Sequence, residues 1–236
     1  DRLSVVILIN SYRFSQPAGS SAPASVSYVG GKASSRVAAA HTLTGVPFGA
    51  AATRRFVVVA VHAFGTYGDS VSPVLDSATI GGVEATVFAQ SRRNAAGYWQ
   101  HCALIGAEVP AGTSGTVVLH YNASMTYPNL SVHRVIGLLS NAAVDLTGHT
   151  FAASQGSTSV DVQEDGVLIA AATCYTAFTA SIDSGVTQRY RKAISVASGV
   201  ALGGNLNVSA TESNRTVVIS NSSQALVCAM VLLSLR

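Results

Sequence analysis

Short runs of β-branched and small apolar residues, each closed by Gly, Ser, Asn or Pro, recur along the whole chain. No segment holds apolar residues at helical spacing for more than two turns. A chain patterned this way predicts an all-β fold, a β-sandwich or jelly-roll-like body of many short antiparallel strands. The clearest predicted strands lie over 55–63, 98–105, 116–121, 131–138, 157–162, 167–174, 205–210, 216–220 and 225–235. The segments 57–61 and 167–172 are apolar without interruption, which predicts strands in mid-sheet with both faces covered. Residues 205–211 alternate polar and apolar, which predicts a strand with one wet face. The Gly81-Gly82 pair between apolar flanks predicts a tight hairpin, because both glycines accept positive φ. Segments 42–54 and 138–144 are expected to hold at most one helical turn each.

With 236 residues the chain is long enough to bury roughly 70% of its unfolded surface, so a core needs no covalent staples. Residues 1–24 are predicted to form an N-terminal arm and linker, and residues 25–236 the sandwich body. The arm carries Val5, Val6, Ile7, Leu8 and Ile9, followed by a Pro-, Gly- and Ser-containing stretch. Those five residues are the predicted assembly contact: an uncharged, β-prone edge asks for a sister subunit or particle protein to cover it. Cys102, Cys174 and Cys228 each sit inside an apolar run without Cys-x-x-Cys or Cys/His spacing. They are expected to be free and buried, one pair remaining open as an alternative.

Charged residues are 11% of the chain, well below the usual ~25%. Ser, Thr, Asn and Gly fill the polar share, so surfaces repel one another little and suit packing against other subunits. The net charge of +3 is spread over Arg54-Arg55, Arg92-Arg93 and the Arg189, Arg191, Lys192 group. Charged rims at strand ends account for these, with a patch for an anionic partner such as an acidic glycan as the alternative. No nucleic-acid footprint is expected. No apolar run reaches the ~18 residues of a membrane-spanning helix.

From Arg55 to Leu138 the chain shows an Arg-Phe-Val-Val-Val-Ala-Val strand, then the Ala-Thr-Ile-Gly-Gly-Val-Glu-Ala-Thr-Val hairpin. Val109-Pro-Ala-Gly-Thr-Ser-Gly-Thr-Val-Val-Leu119 and Val135-Ile-Gly-Leu138 follow. In order and spacing this resembles a group of β-sandwich proteins encoded by bacteriophages and prophages, especially of alphaproteobacteria. The resemblance continues weakly through Asp165-Gly-Val-Leu-Ile-Ala-Ala-Ala172 to the closing strand. It implies a minor virion component such as a head decoration, head fibre or tail accessory protein. It carries no catalytic residues across.

Catalytic chemistry leaves little trace. Gly-x-Ser-x-Gly is absent, and His41, His62, His101, His120, His133 and His149 are dispersed, four of them inside predicted strands where a structural role is expected. The carboxylate pairs Asp69 with Asp76 and Glu164 with Asp165 are predicted to be solvated turn residues. The Asn-x-Ser/Thr triplets at Asn122, Asn129, Asn207, Asn214 and Asn221 are what Ser/Thr-rich strands generate by composition. Tyr67, Trp99 and Tyr127, with Tyr98 beside Trp99, adjoin predicted loops and are the candidate ligand or partner residues.

These observations predict a non-enzymatic structural component of a virion, assembled in the host cytoplasm, that acts through contacts with sister subunits and other virion proteins. No metal or cofactor is expected. The alternative is a carbohydrate-binding module for a bacterial surface glycan, with the loop aromatics as its signature; a hydrolase with dispersed residues is the remaining rival.

Overall fold

A computed structural model of the protein describes residues 22–175, 180–194, 199–220 and 226–236. Among these residues there is no helix, and every strand pairing is antiparallel. The all-β, sandwich-like class holds. The assembly residues Val5, Val6, Ile7, Leu8 and Ile9 lie outside the described residues.

The first half of the chain contributes β1 (Ser25–Ala33), β2 (Val37–Pro47), β3 (Phe56–Gly65), β4 (Leu75–Ile80), β5 (Val83–Glu84), β6 (Thr86–Ala95), β7 (Tyr98–Glu108) and β8 (Ser114–Ile136). One hydrogen-bonded sheet contains them all, and β8 folds it in two. The first part of this 23-residue strand pairs with β2 and β4, and its last part with β1 and β3. Asn122, Ala123 and Ser124 lie at the changeover. The result is an outer layer β5-β4-β8-β2 and an inner layer β1-β8-β3-β7-β6. Val57, Val59, Val61 and Ile105 of the inner layer meet Leu43, Ile80 and Leu119 of the outer one.

The second half contributes β9 (Ala143–Ala153), β10 (Gln155–Val162), β11 (Val167–Tyr175), β12 (Ser181–Asp183), β13 (Thr187–Ile194), β14 (Gly199–Asn207), β15 (Glu212–Ser220) and β16 (Leu226–Leu235). They form a five-stranded sheet β13-β14-β11-β16-β9 and a three-stranded sheet β10-β15-β12. Leu168, Ala170, Met230 and Leu232 pack against Val160, Val217 and Ile219 between them.

The two double layers are stacked on each other. Val58, Ala60 and Leu104 on the far face of the inner layer meet Ile169, Ala171, Val231 and Leu233 of the five-stranded sheet. This is why 57–61 and 167–172 are apolar at every position: odd and even side chains enter different cores, and β3 is buried along its whole length. Burying the five large side chains of that middle interface, Val58, Leu104, Ile169, Val231 and Leu233, contributes about 7–15 kcal/mol before ordering costs.

The Gly81-Gly82 hairpin forms as the sequence predicts, with φ of 62° and 82°. The single helical turns do not form. Residues of 42–54 extend β2 to Pro47 and then run as loop, and 138–144 passes through loop into β9.

The expectation of three free thiols is corrected: Cys174 is disulfide-bonded to Cys228, and only Cys102 is free. Cys174 and Cys228 are register partners across β11 and β16, with Cα atoms 4.1 Å apart, so both thiols leave the sheet on one face. Two residues separated by 54 positions give no sign of this pairing in sequence. Denatured, unreduced protein is expected to titrate one thiol and reduced protein three. Cross-linking a loop of that length removes about 4 kcal/mol of unfolded-chain entropy, so reduction is expected to lower Tm by roughly 8–16 °C in a chain of this size. Three thiols without reductant, or an unchanged Tm, would refute the bond.

Candidate functional site

The inner layer of the first half ends at β1, and the five-stranded sheet of the second half ends at β13. These two edges flank a groove on the side of the stack. Both strands are irregular there. The β1 register slips between Tyr28 and Gly30, and the β13 register slips between Gln188 and Tyr190, leaving Val29 and Arg189 as the extra residues. A bulge turns neighbouring side chains out of the ordinary alternation. Tyr28 and Tyr190 come together with ring centroids 6.2 Å apart. Two glycines make the room: a Cβ on Gly31 would come within 2.8 Å of the Tyr190 ring, and one on Gly203 within 2.5 Å of Ser131 Oγ.

Beneath these rings lies a buried polar floor. Tyr190 stacks on His62 at 5.9 Å, and Tyr28 lies 5.8 Å from His133. Thr173 Oγ1 donates its proton to the His101 carbonyl at 2.8 Å. Its contact with His62 Nδ1 at 3.2 Å therefore has the imidazole donating, which fixes the tautomer and leaves Nε2 as an unpartnered acceptor. Asn205 Nδ2 donates to His133 Nδ1 at 3.1 Å, so His133 keeps its proton on an unpartnered Nε2. Ser131 Oγ, like these two ring nitrogens, lacks a partner among the described residues. Cys102 Sγ lies 3.8 Å from His62 Nδ1, but the pair is no nucleophile. Burial lowers the His62 pKa to about 3 and pushes the Cys102 thiol up, so neither group ionises at neutral pH. Burial, and secondarily the charge of Arg189, lowers His133 to about 4.

Three adjoining hollows of about 240, 260 and 290 Å³ run along the groove. The first adjoins Tyr127, Asn129 and Ile194, the second lies between Tyr28 and Tyr190, and the third reaches Val26 and Arg189. Lys192 lines the first two, and Lys32 the second. These are the only two lysines in the chain. The one ion pair among the described residues, Arg215 with Glu212, involves none of these cations.

The loop aromatics of the sequence do not form one platform. Tyr127 lies at the groove, with φ of 53°. Tyr67, 68% exposed, sits against Gly97 and Tyr98. Trp99 is half-buried over Gly65, its indole N–H donating to the Asp69 carbonyl at 3.0 Å. Asp69, Glu164 and Asp165 lie in turns or loops, and Asp76 is exposed on β4. His41, His62, His101 and His133 are buried, whereas His120 and His149 are exposed. Among the described residues no group of three His, Cys, Asp or Glu stands together as a metal site, and no helix is long and apolar enough to cross a membrane. Tyr28, Tyr190 and Lys32 had no signal in sequence as site residues; only the Arg189, Arg191, Lys192 group marked the place.

Against known proteins, the chain matches no family model, no curated protein and no solved structure.

Proposed function

We propose that this protein is a structural component of a phage particle, of the head-decoration, head-fibre or tail-accessory kind, working by assembly with sister subunits and other virion proteins. The observation that carries the reading is the middle interface. Its residues Val58, Leu104, Ile169, Val231 and Leu233 are fully buried, as the cores on either side of it are, so two sandwiches are joined into one rigid block. A surface carrying few charges favours permanent packing against neighbours. The mechanism is burial and shape complementarity, with strand addition by the apolar arm as the attachment.

Deletion of residues 1–15 is expected to abolish self-association and co-sedimentation with particles while leaving the melting curve of the body unchanged. Burying Val5, Val6, Ile7, Leu8 and Ile9 supplies about 7–15 kcal/mol before ordering costs, enough to hold subunits together. Light scattering on both proteins decides. A full-length protein that is monomeric at micromolar concentration, paired with a deletion that unfolds, would make the arm an intramolecular strand and remove this mode of assembly.

A further inference from the structure

The groove between β1 and β13 holds three tyrosines, and each stands beside a break in regular backbone. Tyr28 adjoins the β1 bulge and Tyr190 the β13 bulge. Tyr127 itself occupies the left-handed region, next to the point where the β3–β8 register slips between His62 and Phe64. A non-glycine residue held there is strained, and three such devices on three strands around one groove are features of a site. Two lysines and Arg189 line the same groove without a carboxylate partner among the described residues.

We propose that this groove binds an extended acidic glycan, with carboxylates on Lys32, Lys192 and Arg189 and sugar faces on Tyr28, Tyr190 and Tyr127. The size of the hollows selects an extended ligand: each falls below the ~300 Å³ at which a compact small-molecule pocket begins, and only in series do they offer room. At ~3.3 Å per residue, the β1 stretch from Val26 to Ala33 runs roughly 23 Å along the groove. Half-buried tyrosines offer apolar faces with a polar rim, and Ser34, Ser35 and Asn129 line the end of the groove with groups that match sugar hydroxyls. A peptide adding a strand is disfavoured because both edges are bulged and cationic where it would have to pair. Single-stranded nucleic acid wants a cation for each successive phosphate, and three cations do not supply a track.

The test uses the full chain and isothermal titration with hexa-galacturonate, maltohexaose, an oligothymidylate and an oligoglutamate. Hexa-galacturonate is expected to bind, more weakly as salt rises, and maltohexaose at least tenfold more weakly. The exposed pair Lys32→Gln/Lys192→Gln is expected to weaken hexa-galacturonate about tenfold or more and to flatten its salt dependence, with the melting curve unchanged. Tyr190→Phe, which keeps the ring, is expected to retain binding. The proposal is overturned if the double variant binds as the parent does, if maltohexaose binds equally well, if hexa-galacturonate does not bind, or if the oligothymidylate or oligoglutamate binds more tightly.

Discussion

Between pH 7 and pH 5 the folded state is expected to lose about 5–6 kcal/mol, a large share of the roughly 5–15 kcal/mol by which domains are stable. Three buried imidazoles cause it. His62 and His101 are lowered to about 3 and His133 to about 4, in each case chiefly because burial opposes the charged form. Each is wholly inside the protein, so little solvent screening intervenes. In the unfolded chain the same groups take up protons near pH 6.5, whereas the folded ones stay neutral until about pH 3 to 4. The unfolded state thus binds more protons throughout that window, and stability is present above pH 6.5 and lost as pH falls through it. Below about pH 6 each histidine contributes ~1.4 kcal/mol per pH unit, together about 4. Urea midpoints at pH 7, 6 and 5 check the slope. His133→Asn is expected to reduce it by about one proton, and a midpoint flat from pH 7 to 5 would show that these histidines are not held neutral.

What could be read from sequence was what one strand encodes about its own surroundings. β3 and β11 announce two covered faces because their side chains, His62 and Thr173 apart, enter one core or another, and Gly81-Gly82 announces its hairpin because the turn needs two positive φ angles. Two of the strands at sheet edges were not legible. β9 and β13 have mostly exposed or half-exposed side chains, and the β13 bulge breaks the alternation that would have marked it. β14 was legible only at its end, because Gly203 and Gly204, which let Tyr190 and Val186 approach, look like loop. The corner in β8 merges two separately predicted strands. The groove was hidden for a further reason: it joins Tyr28 to Tyr190 through the stacking of two chain halves, a relation no local pattern carries. The disulfide is of the same kind. Arg54-Arg55 shows the opposite failure, a pair that reads as one charged rim and divides. Arg54 is exposed in the left-handed region, whereas Arg55 is fully buried.

That burial makes Arg55→Ala the most damaging single substitution expected, at about 4 kcal/mol or more. Among the described residues the Arg55 guanidinium has no carboxylate partner. It donates from Nε to the Val109 carbonyl at 2.6 Å, from Nη1 to Gly49 and Gly112 at 2.8 Å each, and from Nη2 to Ala111 at 2.7 Å. The loop between β7 and β8 thus converges on one side chain from the start of β3, and the Gly49 carbonyl ties in the loop between β2 and β3. Alanine leaves these acceptors without donors and a cavity where the largest fully buried side chain had been. Lysine keeps the charge, but its three donors radiate from a single nitrogen and do not span acceptors that a planar fork reaches, so Arg55→Lys is expected to recover less than half of the loss. Methionine removes the charge that must be desolvated yet leaves the same carbonyls unpaired, and belongs with alanine rather than with the parent. Urea denaturation at pH 7 measures all three. Hydrogen exchange is expected to speed up in each variant at the Phe48 amide, which donates to the Thr113 carbonyl, and at the Val109 amide, which donates to the Arg55 carbonyl, because the loop loses its anchor even where the core persists. An alanine variant within about 1 kcal/mol of the parent would mean that water replaces the guanidinium at little cost and that the loops hold their shape without it.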